Sequence, residues 1–260
     1  MQANQQTVVC DTYGEELGEG GACVCADGFR GDPCTPYIGD CEEGYQKGNF
    51  TNSGTSGAFL IHPLQAPTPF YVFCKKMPNN VRNYIMERKQ STLSFNRNFA
   101  EYKAGFGALD GDHWLGLEKL HYLTNSKAYE LRVSAKLENS SIFFMQYQNF
   151  RISDEASGYR MYFNQTTNDT YLLGDCFSAL YGAQFSAYDN DNDEDGGVNC
   201  AQNHEGGWWF RGGACSTCNP TGPLLQPAGG RRTGVDAEIF WTEDLDDLVP
   251  FKMTMFLTSL

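Results

Sequence analysis

From Tyr37 onward the chain is built of short apolar runs rich in β-favouring residues, broken by Gly, Pro and Asn. Phe70-Tyr-Val-Phe and Ser141-Ile-Phe-Phe-Met-Gln-Tyr are strand-sized. Such runs predict a largely antiparallel sheet with long connections. Helical stretches are few, the best being Asn98 to Lys103 and Leu117 to Leu123. Between Asn164 and Arg232, Gly, Asn, Asp and Cys stand where a core would need aliphatics. That segment is expected to be loop-rich, held by disulfides and metal, and to carry function.

The first stretch, to about Thr35, has four cysteines and too few apolar residues for a core, so it needs staples. Its closing segment runs Cys23-Val-Cys25-Ala-Asp-Gly-Phe-Arg-Gly-Asp-Pro-Cys34. The Cys-x-Cys-x8-Cys spacing and the Gly-aromatic-x-Gly turn resemble the back half of an EGF-like module. Bridges Cys25 to Cys34 and Cys10 to Cys23 are expected, and residues 1–36 are taken as one small unit. Met1 to Thr7 have no basic start and no apolar run, so they are not a signal peptide and suggest a mature fragment.

Composition narrows the class. With 260 residues, 41% of them hydrophobic and 14% aromatic, the chain can fill a sizeable core. Ten cysteines point to an oxidising compartment. Glycosylation acceptors at Asn49, Asn139, Asn164 and Asn168 agree, which makes the chain a secreted, extracellular protein. No apolar run approaches the roughly 20 residues that span a bilayer. The net charge of −13 repels phosphate backbones and argues against nucleic acid as a partner.

The acid is concentrated in Asp189-Asn-Asp191-Asn-Asp193-Glu-Asp195-Gly-Gly-Val-Asn-Cys200. Carboxylates at alternate positions followed by glycine offer a curled loop of oxygen ligands to Ca²⁺. The segment from Asp191 to Gly196 mimics the first half of an EF-hand loop, but the twelfth position is Gln202 and no flanking helices are foreseen. The alternative is a solvated acidic surface. Against it, closely spaced acids repel one another without a counter-ion. Asp191 and Asp193 are expected to give side-chain oxygens, and Asp195 and Gly197 backbone carbonyls.

From Asp40-Cys-Glu-Glu-Gly-Tyr to the end, the chain resembles the fibrinogen-like domain family of fibrinogen chains, ficolins, tachylectins, angiopoietins and tenascins. The matching blocks include Phe95-Asn-Arg-Asn-Phe-Ala-Glu-Tyr-Lys-Ala-Gly-Phe-Gly107, His113-Trp-Leu-Gly-Leu-Glu118, Phe185-Ser-Ala-Tyr-Asp-Asn-Asp-Asn-Asp193 and Gly207-Trp-Trp-Phe210. The resemblance implies an α+β fold over 37–260: a small N-terminal subdomain, a central twisted antiparallel sheet, and a loop-rich calcium-binding subdomain over about 164–232. It implies bridges Cys41 to Cys74 and Cys200 to Cys215, and puts Ca²⁺ on Asp191 and Asp193. Cys176 and Cys218 remain and are expected to bond to each other, a tie the common pattern lacks.

The family's ligand pocket lies beside the calcium loop, which carries the expectation onto Trp208, Trp209, Phe210, Cys215, Ser216 and Arg232. The two tryptophans are as well suited to packing as to contact. Two departures bear on this pocket. Ser216 stands where the family has histidine, and Arg231 and Arg232 fall near its aromatic and acid. Arg232 either favours an anionic ligand or is an exposed loop charge.

Catalysis has no visible seat. Four scattered histidines make no His-Glu-x-x-His site, and no Gly-x-Ser-x-Gly elbow exists. Cys215-Ser-Thr-Cys218 suits two structural half-bridges better than a redox or zinc site. The chain is thus expected to be a non-enzymatic, calcium-dependent lectin of innate defence that binds acetylated or acidic glycans. The competing expectation is an extracellular matrix or signalling protein whose globe binds a protein receptor or integrin. Upstream segments would serve any oligomerisation.

Overall fold

The computed structural model describes residues 37–48, 55–137, 140–164, 173–213, 215–224, 239–241 and 250–260, and the backbone of four short strands before them. Those four form two antiparallel ribbons. β1 (Glu15–Leu17) pairs with β2 (Cys23–Cys25), and β3 (Phe29–Arg30) with β4 (Thr35–Pro36). The bridges expected of Cys10, Cys23, Cys25 and Cys34 lie outside the described residues.

The globe begins with α1 (Cys41–Gln46), a helix the hydrophobic pattern did not announce. Its start is set by buried Asp40, whose carboxylate accepts from the Glu43 N–H at 2.9 Å and satisfies an otherwise orphaned donor. The other oxygen of Asp40 accepts from the Tyr129 hydroxyl at 2.8 Å and the Ser259 hydroxyl at 3.0 Å. This one side chain therefore ties the first helix to two distant strands.

Three strands follow: β5 (Ser56–Ile61), β6 (Phe70–Lys76) and β7 (Val81–Arg88). The stretch from Met77 to Asn80 turns β6 into β7. Next come α2 (Phe99–Ala104), β8 (Phe106–Gly107), β9 (His113–Trp114) and α3 (Leu117–Ser126). Both expected helices are present, each running on by one to three residues. Asn98 and Glu101 close a capping box that starts α2. Gly105 and Gly116 sit back to back at φ 91° and 113°, where a Cβ on Gly105 would lie 2.2 Å from the Leu115 carbonyl oxygen. Only glycine permits that crossing.

β10 (Tyr129–Lys136), β11 (Ile142–Tyr147), β12 (Arg151–Ile152), β13 (Met161–Tyr162), α4 (Cys200–Asn203) and β14 (Lys252–Ser259) complete the elements. The main sheet has the order β11-β10-β14-β7-β6-β5 with antiparallel pairing throughout. β14, last in sequence, lies in the middle. β10 alternates strictly between buried and half-buried positions, so one face of the sheet meets the core and the other meets solvent.

The loop-rich segment has a larger core than its composition suggested. Aromatic side chains supply what aliphatics do not: Phe185, Trp209, Trp208, Phe177 and Tyr147 form a ladder of rings 4.6 to 5.4 Å apart. Trp114 of β9 joins it at 6.2 Å from Trp209. Rings at these distances bury much area and hold their mutual geometry, which anchors the loops to the sheet. Cys176–Cys218 and Cys200–Cys215 staple the same region, and Cys41–Cys74 staples α1 to β6.

Candidate functional site

The acidic loop is fixed at both ends and along its inner edge. Ser186 and Trp208 exchange two backbone hydrogen bonds at 2.9 and 3.0 Å, joining the loop's start to the tryptophan pair. Asn192 turns inward: its backbone N–H donates to the Ser186 hydroxyl at 3.0 Å and its side-chain amide to the Phe185 carbonyl at 2.9 Å. Asp189 accepts from the Phe99 N–H at 2.8 Å, at the first turn of α2. With Asn192 used as the anchor, the alternate positions 191 and 193 stand together on the other side.

Asp193 holds the chain's reversal. One of its oxygens accepts from the Asp195 N–H and the other from the Cys200 N–H, both at 2.9 Å. Asp191 accepts more weakly from the Asp193 N–H at 3.4 Å. Partial burial, and after it the neighbouring Asp193 carboxylate, hold the Asp191 carboxyl above its ordinary value. Arg211 stands 3.2 Å from Glu194, so this cation neutralises the outer acid and not the inner pair. Gly212 packs so closely under Glu194 that a Cβ would meet its carbonyl oxygen at 2.7 Å.

These residues fit a hard cation in chemistry: two adjacent carboxylates with shared charge, in a loop rich in backbone oxygens. The fit is not a ready cage, because among the described residues no three His, Cys, Asp or Glu side chains converge on one point. Asp195 spends its carboxylate on the Gly197 N–H at 3.2 Å. Any contribution from Asp195 and Gly197 would come from their carbonyls.

The expected ligand pocket looks different once its side chains are placed. Trp208 and Trp209 are fully buried, and Phe210 nearly so. They pack, and their side chains offer no surface to a ligand. Trp209 donates its indole N–H to the Tyr159 carbonyl at 2.7 Å, which locks it as a floor. Cys215 takes a positive φ of 62°, uncommon for a residue with a Cβ, where the Cys200 bridge arrives. Ser216 turns inward, its hydroxyl accepting from the Cys218 N–H at 3.1 Å beside the Cys176–Cys218 bridge. Arg231 and Arg232 lie outside the described residues, as do Asn49, Asn139 and Asn168; Asn164 is exposed.

Sequence reasoning missed the loop's apolar rim. Tyr188 and Val198 bracket the acids, 43% and 40% exposed, and the Asn199 side-chain amide closes the rim by donating to the Tyr188 carbonyl at 3.2 Å. Their signal was the placement of a tyrosine and a valine at the two ends of an acid run.

Residues 37–255 match the family described as fibrinogen beta and gamma chains, C-terminal globular domain. The chain belongs to this family. Its globe is 32% identical over 228 residues to microfibril-associated glycoprotein 4 of Mus musculus, covering 84% of each chain. It is 31% identical over 172 residues to angiopoietin-related protein 1 of Homo sapiens, covering 66% of this chain and 33% of that relative. The chain thus spans about a third of that relative's length. Among solved structures, the fibrinogen-like globe domain of human ANGPTL2 superposes with a TM-score of 0.76 at 28% identity, covering 85% of this chain and 98% of that one. No helix among the described residues of this fibrinogen-like chain is long and apolar enough to cross a membrane.

Proposed function

We propose that this chain is an extracellular, non-enzymatic binding module of the matrix or signalling kind, whose fibrinogen-like globe engages a protein partner beside its acidic loop. The observation that carries this is the rim of Tyr188 and Val198, both exposed and held at the loop's two ends. Aromatic side chains are enriched in protein interfaces, and the loop's fixed ends leave this tyrosine and valine exposed. Relatives named for microfibrils and for angiopoietin support the same class ahead of the glycan-binding lectin expected from sequence.

Within this reading the loop holds Ca²⁺ on Asp191 and Asp193, with carbonyls of Asp195 and Gly197. The ion would supply positive charge that lets both carboxylates face one another. Asn192 then keeps the rim in place, and Asp193 sets the turn that presents Val198. The N-terminal ribbons of residues 1–36 serve as an EGF-like spacer ahead of the globe.

The deciding experiment compares binding of the multimerised chain to cells or matrix treated with protease and, separately, with glycosidases. Loss after protease alone, and loss in a Tyr188→Ser, Val198→Ser variant that stays folded, is the expected result. Loss after glycosidases with no effect of the variant overturns the protein-partner reading in favour of a lectin.

A further inference from the structure

A second site lies at the ribbon of β12 and β13 and contains none of the residues 189–200. A groove of about 360 Å³ opens there, where the ribbon packs against the end of α3. Tyr162, Phe163 and Tyr181 give it aromatic walls, and Asn125 and Asn149 add amides. Asn164 lines it as well and is exposed.

The walls are built on fixed backbone. The Asn164 N–H donates to the Gln148 carbonyl at 2.7 Å, the Phe150 N–H to the Tyr129 carbonyl at 2.9 Å, and the Gly182 N–H to the Met161 carbonyl at 2.8 Å. Asn149, in the turn between Gln148 and Phe150, takes a φ of 51°, which asparagine tolerates better than most residues. The rings hold one another in turn. Tyr181 meets Tyr162 at 5.6 Å and Phe163 at 5.4 Å, both near perpendicular, yet it stays 46% exposed. The Arg151 guanidinium lies over the Tyr162 ring at 4.7 Å, from the position directly across the ribbon.

What covers Tyr181 follows from the residues around Asn164. Asn164-Gln-Thr166 is an acceptor for an N-linked glycan, and Tyr162 stands two positions before it. Alternate residues of an extended run face the same way, and these two line one groove. A sugar attached to the Asn164 side-chain nitrogen therefore begins beside the aromatic wall. One side of a pyranose ring is a flat array of C–H bonds that fits an aromatic ring, while its hydroxyl and acetamido groups suit the polar part of the lining. An open shelf of this kind would hold a free sugar weakly. A sugar already bonded to the rim loses little further freedom on settling there, so a modest contact is enough.

We infer that Asn164 carries an N-linked glycan whose first N-acetylglucosamine lies back in this groove against Tyr181 and Tyr162, as part of the folded globe. The inference rests on the extracellular reading, since such a chain is attached in the secretory pathway. The sugar shields Tyr181 and braces the β12–β13 ribbon from outside, and the groove in turn shields the start of the glycan from processing enzymes.

The test uses the full chain secreted from a glycosylating eukaryotic host, with Asn168→Gln so that the neighbouring acceptor does not share a peptide with Asn164. Mass spectrometry of that peptide should find Asn164 occupied by a little-processed, oligomannose glycan. In Tyr181→Ser the same glycan should become more processed. Thr166→Ala removes the acceptor signal and keeps Asn164, and it should lower the melting temperature by about 2–4 °C, the shift that one stacked ring gives in a chain of this size. Tyr181→Ser should lower it further only where the glycan is present, so the two substitutions couple. Strictly additive effects overturn the inference, as does a fully processed glycan at Asn164, or a bare Asn164 while Asn49 and Asn139 are occupied. The processing state of Asn164 decides the matter without Tyr181→Ser should that variant fold poorly. A chain retained unglycosylated inside the cell overturns this inference and the extracellular reading together.

Discussion

His113 is fully buried in β9, one ring nitrogen 3.0 Å from the Gly111 carbonyl. Burial, the largest influence on it, pushes its pKa below the ordinary 6.5. The group is then neutral in the fold while the unfolded chain takes up a proton below pH 6.5. Its stabilising share is complete above that pH and lost as pH falls toward the lowered folded value. Denaturant melts from pH 7.5 to 5 should show stability dropping by up to about 1.4 kcal/mol per pH unit from this residue, a slope absent from His113→Gln. Asp191 and Asp193 make a second case at this scale. Calorimetry should show Ca²⁺ binding to the wild type and at least a tenfold loss in Asp191→Asn, whose remaining oxygen can still accept from the Asp193 N–H while the shared charge is halved. Undiminished binding would move the ion elsewhere. The acid run was legible in sequence because its spacing is chemical. The inward turn of Asn192 was not, because it depends on Ser186 and Phe185 being brought alongside by Trp208.

At the scale of elements, what sequence showed and what it hid divide by range. α2 and α3 were visible because a capping asparagine and a leucine repeat are local signals. α1 and the single turn α4 were not, since six and four residues carry too little periodicity and each depends on a cap and a bridge. Fully aromatic packing under the loops was hidden for a related reason: tryptophans and phenylalanines beside glycines look like exposed recognition residues until the ladder of rings is assembled. The Cys176–Cys218 bridge belongs here too. It closes 42 residues around Phe177, Trp208 and Trp209, and it holds the loop segment whether or not metal is present. Replacing both cysteines with serine should cost about 4 kcal/mol by the loop-closure estimate. Calorimetric melting would check this, and an unchanged midpoint would mean that the aromatic ladder alone fixes the segment.

For the whole molecule, the main sheet and the segments around it divide the labour. The sheet's buried face carries the core, the loops stacked at its end carry the acidic site, and the β12–β13 ribbon carries the groove at Asn164. Sequence alone made the sheet and its disulfides legible, through Phe70-Tyr-Val-Phe and the resemblance of its blocks. It marked Asn164 as an acceptor but could not show the groove beside it, since Arg151, Tyr162 and Tyr181 are spread along the chain and meet only through the ribbon's register and ring packing.

The position of β14 carries a consequence for how the chain is made. β5 to β7 form one hairpin stack and β10 with β11 another, and Lys252–Ser259 is the sole strand between them. While synthesis proceeds, β7 and β10 both present open edges, and no pairing between them exists to be completed early. The globe must therefore close late, after its bridging strand has left the ribosome, with two sticky edges waiting in the meantime. A shortened chain lacking only those eight residues would leave two half-sheets without the strand that pairs with both.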